Sequence, residues 1–398
     1  MLQRLPAFDT VTKVVLINFC TRFHVYLHIS ALYLRLRGLS LVEVAALETV
    51  VTATIFLMEV PTGIMADRIG RKWSLLLWSL LLMFGETVSL FGQSFGQFFI
   101  GAVLVGIGHA FGSGAKEAIV YDSLPLENRD HLMKQAMGRV NSWGQIAFFI
   151  SPILGGLIVT DLQLPQFQLA IGLTVLALFI GVLLSLTLRE PETDWEVNRA
   201  GALTILRTGL AELNRSPRLR RITLLTVLTV PGASLLITTL APTYLTANEV
   251  SPFAIGLTLS LGSLVAAFTQ RYAYKVEEVL GARWGITLLT VLPGLSYIVL
   301  ALVSGPVGTW LVVTWMYATN DTRSPLFSAY QNALIQGRNR ATVLSLVNMF
   351  VNLFVAASGP LYAALAARSL PLAFVVMGAV IIGAAALLRV DKLPDMAA

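Results

Sequence analysis

The stretch "GIMADRIGRKW" (Gly63–Trp73) stands between "LETVVTATIFLMEVPT" (47–62) and "SLLLWSLLLMFG" (74–85). Four charged side chains, Asp67, Arg68, Arg71 and Lys72, are thus confined to a few residues between two apolar runs. Each run extends far enough to cross a bilayer, which takes about 20 apolar residues in helical form. A tight acid-and-base connection between two such runs reads as a membrane hairpin, and the rest of the chain repeats that pattern.

Of the 398 residues, 56% are apolar and 13% charged, against roughly 45–50% and about 25% in soluble domains. The apolar residues come in blocks, at 14–36, 43–65, 73–92, 97–123, 136–160, 166–188, 221–245, 252–272, 284–304, 308–334, 341–366 and 370–389. A soluble core has no place for twelve such blocks, and a β-barrel would show weak alternation over about ten residues instead. The expected fold class is an all-α membrane protein with twelve transmembrane helices.

Loops on the cytoplasmic side collect Lys and Arg. With the N-terminus inside, the inner segments hold 21 Lys and Arg and the outer ones 3, namely Arg35, Arg37 and Arg368. Both termini are therefore expected in the cytoplasm. The net charge of +6 reflects that topology and contact with anionic lipid head groups, not nucleic acid. Lys13 precedes a first span too long for a cleavable leader, and no small-residue cleavage site follows it. The single Cys20 leaves no internal disulfide and no cysteine-based metal site.

The longest polar run, "REPETDWEVNRAGALTILRTGLAELNRSPRLR" (189–220), falls near the middle. Six spans precede it and six follow, so the expected domains are a half at 1–188, a cytoplasmic linker at 189–220 and a half at 221–398. Residues 200–213 of the linker suit an amphipathic helix on the membrane surface. The opening stretch has a second copy: "DRIGRKWSLLL" (67–77) aligns with "EVLGARWGITL" (278–288). Glu278 stands where Asp67 does, Gly281 where Gly70 does, Arg283 where Lys72 does and Trp284 where Trp73 does. "SPILGG" (151–156) aligns with "GPLYAA" (359–364), and Arg129 with Arg338. The chain reads as a duplicated six-helix unit with parallel halves.

Gly63, Asp67, Arg68, Gly70, Arg71 and Lys72 match in full the loop motif Gly-x-x-x-Asp-Arg-x-Gly-Arg-Lys, and in this the chain resembles the major facilitator superfamily. The resemblance covers the whole chain: twelve spans, a central loop, inside termini and the degraded copy at 278–284. Ser151, Pro152, Gly155 and Gly156 resemble that superfamily's Gly-Pro-x-x-Gly-Gly motif, with Ser151 for the first glycine. That motif is associated with exporters exchanging substrate for protons, so the resemblance is strongest to drug/proton antiporters. The family's Arg-rich motif in span four has no match, since its arginine would fall near Ala102.

Read from its own chemistry, the opening cluster is a gate. Gly63 is expected to let helices approach, and Gly70 to permit a tight turn. Asp67 suits a helix N-terminus or a base on the other half. Arg71 and Lys72 suit helix-end carbonyls or a nearby acid. Such links hold the inner side closed while a cavity opens outward.

Ionisable groups deep in spans are costly and mark function by default. Span one carries Arg22, His24, Tyr26 and His28, with Arg22 and Tyr26 expected on one helical face and the two histidines on another. Span four carries His109, Lys116, Glu117, Tyr121 and Asp122; span ten carries Asn320, Asp321 and Arg323. The resemblance implies that spans one, four, seven and ten line the cavity, and span seven offers only Ser234, Thr238 and Thr239 beside the kinking Pro231. Lys116 and Glu117, being adjacent, are expected to face different ways. Tyr121 and Asp122 read as helix-end contacts to Arg129 or Arg139, and Glu86 as peripheral. Glu117 is the first candidate for a coupling proton, with Arg22 as its partner base; Asp321 is the second, with Arg323 or His109.

No nucleotide loop, zinc spacing or nucleophile elbow is present, so catalysis, cofactors and metals are not expected. The expected function is proton-coupled efflux of a small amphipathic or organic compound by a monomeric carrier, working by alternating access in the cytoplasmic membrane of a prokaryote. Uptake of an anionic nutrient is the alternative, suggested by Arg22, Lys116 and Arg323; a receptor on a transporter fold is the third class.

Overall fold

The structure is a computed structural model that describes residues 6–125, 127–190, 210–211, 213–229, 236–271, 273–319, 327, 330–331, 334–335 and 340–388. The regular structure of those residues is helical, with no strand among them. Eight of the described helices are long and apolar enough to cross a membrane. Expectations for Asn320, Asp321, Arg323, Pro231 and the surface helix of the linker fall largely outside the described residues.

The chain divides into two compact units, Met1–Leu27 with Leu36–Leu39 and Val50–Asn198, and His28–Arg35 with Ser40–Thr49 and Arg199–Ala398. The first unit holds α1 (Pro6–Arg22), most of α3 (Leu41–Ile69), α4 (Arg71–Phe91), α5 (Phe95–Gly112), α6 (Ala115–Ser123), α7 (Arg129–Ile158) and α8 (Leu164–Leu186). Here α4 packs on α5 and α8, and α1 on α7 and α8. Ile17, Leu75, Leu82, Ile119, Val140 and Leu178 meet in its core.

The second unit holds α2 (Ser30–Leu36), α9 (Pro217–Thr229), α10 (Ala241–Ala247), α11 (Pro252–Arg271), α12 (Ala273–Leu302), α13 (Pro306–Thr319), α14 (Arg340–Arg368) and α15 (Leu370–Leu387). In it α12 packs on α15 and α11 on α13. Its core joins Ile222, Leu225, Ile286 and Leu346. Thr49 donates to the Ala356 carbonyl at 3.3 Å within this unit.

Span one is not the continuous helix that its apolar run suggests. It stops at Arg22, runs irregularly through His24 and Val25, makes a 3-10 turn at Leu27–Ile29 and resumes as α2. Nothing in "RFHVYLH" is a glycine or proline. The break survives because its freed polar groups find new partners, as backbone at membrane depth must. Val25 N–H donates to Thr174 Oγ1 on α8 at 3.0 Å, and the amides of Phe23 and His24 donate to the carbonyls of Cys20 and Arg22. Replacing Thr174 by Val keeps the shape and removes the acceptor. A buried amide left unpaired costs about 1–3 kcal/mol. Thr174→Val is therefore expected to lower unfolding stability in mixed micelles by that amount and to speed hydrogen exchange at Val25; unchanged exchange there would refute the account.

Span four is broken as well. Helix α5 ends at Gly112, Gly114 takes φ +76°, and α6 starts at Ala115. The signal was the glycine in "GSGAKE".

Helices α3 and α4 are separated by Gly70 alone, with φ +99° and ψ 161°. Gly281 repeats this conformation inside α12, with φ +74° and ψ 159°. The two glycines that the sequence alignment pairs thus make the same turn. Side chains other than hydrogen pay several-fold more for that backbone.

Candidate functional site

At the α3–α4 turn, the α4 N-terminus presents two amides with no helical acceptor. The Glu190 carboxylate, just past α8, takes both: Arg71 N–H donates to Oε1 at 2.6 Å and Lys72 N–H to Oε2 at 2.8 Å. An anion at a helix N-terminus is favoured by the helix dipole as well as by the bonds. Asp67, expected at a helix N-terminus or against a base on the other half, has its side chain outside the described residues; the acid at this N-terminus is Glu190. A Cβ on Gly70 would stand 2.7 Å from the Glu190 Cδ, so a larger residue would displace the carboxylate as well as strain φ.

Arg71 Nε lies 3.5 Å from Asp122 Oδ2, with both side chains largely shielded. Lys72 Nζ lies 5.6 Å from the Trp73 ring centre. Tyr121 carries the Arg129 guanidinium over its ring at 4.9 Å, so that expected pairing is present, whereas Asp122 pairs with Arg71 in place of Arg129 or Arg139. Gly63 does not serve a close approach: a Cβ there would meet nothing within 4 Å. Arg68 and Glu278 are exposed, and the Arg283 side chain lies outside the described residues.

Two polar clusters flank the broken spans of the first unit. In one, Tyr26 Oη donates to Glu86 Oε2 at 2.6 Å, and His24 Nδ1 lies 3.5 Å from Glu86 Oε1. The expected helical faces do not apply, because the backbone is not helical there: Tyr26 and His24 turn to the same acid. Glu86 is therefore buried at the centre of a network, not peripheral. Its signal was weak in the sequence because Tyr26 is 60 residues away. The charges of His24, Arg22 and Glu86 act on His109 of α5. His109 and Arg22 both present exposed surface. His28, across the break, is buried, and neither ring nitrogen has a partner among the described residues.

In the other cluster, Lys116 Nζ lies 3.6 Å from Glu117 Oε1 and 3.5 Å from Asn18 Oδ1. Asn18 Nδ2 donates in turn to the Val140 carbonyl at 2.9 Å. Lys116 and Glu117 were expected to diverge. The flexible lysine stem instead bends back to its neighbour in the first turn of α6. Glu117, expected to be deep and opposite Arg22, is about half exposed and is paired with Lys116.

Ser151, Pro152, Gly155 and Gly156 are all buried in α7, which continues unbroken through Pro152. Ser151 Oγ has no hydrogen-bond partner among the described residues.

Solved structures that resemble the chain include transporters. A nucleoside transporter, NupG, superposes with a TM-score of 0.80 at 12% identity, covering 97% of this chain and 98% of that one. A peptide transporter, POT, in complex with sulfate gives 0.73 at 15% identity, covering 97% and 96%. A bacterial homologue of the human lysosomal transporter Spinster, inward-facing and unoccupied, gives 0.70 at 17% identity, covering 98% and 96%. Identities this low establish the fold alone. No curated protein sequence matches the chain significantly. The family model of the Major Facilitator Superfamily matches residues 14–320. Most of the chain lies within that match, and the chain belongs to the Major Facilitator Superfamily.

Proposed function

We propose that the protein is a proton-coupled secondary transporter for a small polar organic solute bearing an acidic or hydrogen-bond-accepting group. It works by alternating access as a monomer with twelve spans and cytoplasmic termini, in the cytoplasmic membrane of a prokaryote. The observation that carries this reading is the exposed Arg22 at the break of span one, whose charge reaches the exposed His109 of α5. An arginine exposed at a helix break within a span is there to meet something other than lipid. Its planar fork suits a carboxylate or phosphate. Lys116 contributes less than the sequence suggested, because Glu117 and Asn18 already engage it.

The similar structures of nucleoside and peptide transporters make nucleosides and short peptides sensible first probes. Purified protein is screened for thermal stabilisation by nucleosides, short peptides and amphipathic cations, and any hit is tested by counterflow in liposomes. A polar hit that stabilises wild type and not Arg22→Gln, with counterflow, is the expected result. Stabilisation without counterflow would identify a receptor, and indifference to Arg22→Gln would overturn the substrate assignment.

A second reading is export of an amphipathic compound, favoured by the buried Ser151–Pro152 and Gly155–Gly156 stretch of α7. Stabilisation by amphipathic cations alone would select it.

A further inference from the structure

The His24 ring has a fixed proton. Its Nε2 lies 3.1 Å from the Thr21 carbonyl, and a carbonyl only accepts, so Nε2 carries hydrogen. In neutral His24 the other nitrogen, Nδ1, then bears a lone pair. That nitrogen lies 3.5 Å from Glu86 Oε1. A lone pair against a carboxylate is repulsive, and the ring nitrogen is buried with no other partner among the described residues. The arrangement is consistent only when one further proton lies between them, on His24 as imidazolium or on Glu86 as acid.

We propose that His24 and Glu86 form a single-proton site at the break of span one, and that its emptying releases the break. Loading takes one proton from water onto the pair. Unloading returns it to water and leaves neutral His24, still bonded to Thr21, facing a carboxylate. The repulsion then separates the ring from Glu86, and His24 belongs to the irregular segment that joins α1 to the 3-10 turn. Tyr26, three residues before the end of that turn, holds the other oxygen of the same carboxylate. Proton occupancy and the geometry of residues 23–29 are therefore one variable.

The charged surroundings agree with a site of exchangeable charge. His109 on α5 lies within electrostatic range of His24, Glu86 and Arg22. Helix α7, packed on α1, carries its ionisable residues only between Arg129 and Arg139, ahead of the Val140 carbonyl that meets Asn18. On α6, Lys116 and Glu117 pair with each other and Asp122 pairs with Arg71. Helix α8 places Thr174 at the break and contributes no ionisable residue. This assignment rests on the transport reading only for its role in coupling, and it moves the coupling site from Glu117 to a buried pair.

The test is a pH titration of 15N-histidine protein in lipid nanodiscs, without substrate. The chain has four histidines, and His24→Gln identifies the His24 signals. The His24 ring signals should respond to pH differently in Glu86→Gln than in wild type, because the partner that shares the proton is gone. Hydrogen exchange over residues 23–29 should rise as wild type loses this proton and show no such step in Glu86→Gln. If Glu86→Gln does not fold, the Glu86 carboxylate band in His24→Gln takes its place, and a pH response unlike that of wild type is expected; an identical response overturns the site. Identical His24 titrations in wild type and Glu86→Gln overturn the site. An intact titration without proton-driven transport instead overturns the proposed function and leaves the site standing.

Discussion

Gly70→Ala is expected to destabilise the protein by about 2–4 kcal/mol in mixed-micelle unfolding. The φ of +99° with ψ of 161° lies in a region nearly reserved for glycine, at a cost of about 1–3 kcal/mol for other residues. The new methyl group also meets the Glu190 carboxylate at 2.7 Å and drives it off the α4 amides, forfeiting a helix cap of about 1 kcal/mol. Two controls separate these causes. Gly281 has the same backbone but nothing within 4 Å of an added Cβ, so Gly281→Ala should show the strain alone and cost less. Combined with Glu190→Ala, Gly70→Ala should lose its steric part, so the two changes should be less than additive. Equal costs at Gly70 and Gly281, together with simple additivity, would show that Glu190 plays no part in the turn.

Asp122→Ala is expected to cost about 1–3 kcal/mol, less than the 3–5 kcal/mol typical of breaking a fully buried pair, because both side chains keep some solvent. The partner, Arg71 at 3.5 Å, is left shielded without its carboxylate. Arg71→Glu sets two acids against each other and should abolish solute counterflow. Adding Asp122→Arg to Arg71→Glu should restore part of it, because the charges again attract. No recovery in the swapped protein would mean that Arg71 acts elsewhere than on Asp122.

How far the sequence could be read depended on where each residue's partner lies. The Gly70 turn and its copy at Gly281 were legible because a positive φ narrows the choice to glycine, and the spacing then repeats. The membrane class was legible from apolar blocks, which are local. The break in span one was not, because no residue between Arg22 and Ile29 forbids a helix; Thr174 and Glu86 sustain it from distant spans. Glu86 was passed over for the same reason. Glu190 was hidden at the start of the polar linker, where an acid looks like ordinary solvated sequence. The break in span four did carry a local sign, Gly114, which the apolar pattern around it masked.

The broken first span bears on how the protein enters the bilayer during synthesis. Of the eight long apolar segments it is the least apolar, and it carries Arg22, His24 and His28 into the hydrocarbon layer. Its exposed Val25 amide waits for Thr174, which is made 149 residues later. At about 5–20 residues per second, that is roughly 7–30 s in which this segment lacks the partners that settle its backbone, until spans three and six arrive. Birth order and assembly order therefore differ: a helix made ahead of the others in its unit is among the last of them to be completed.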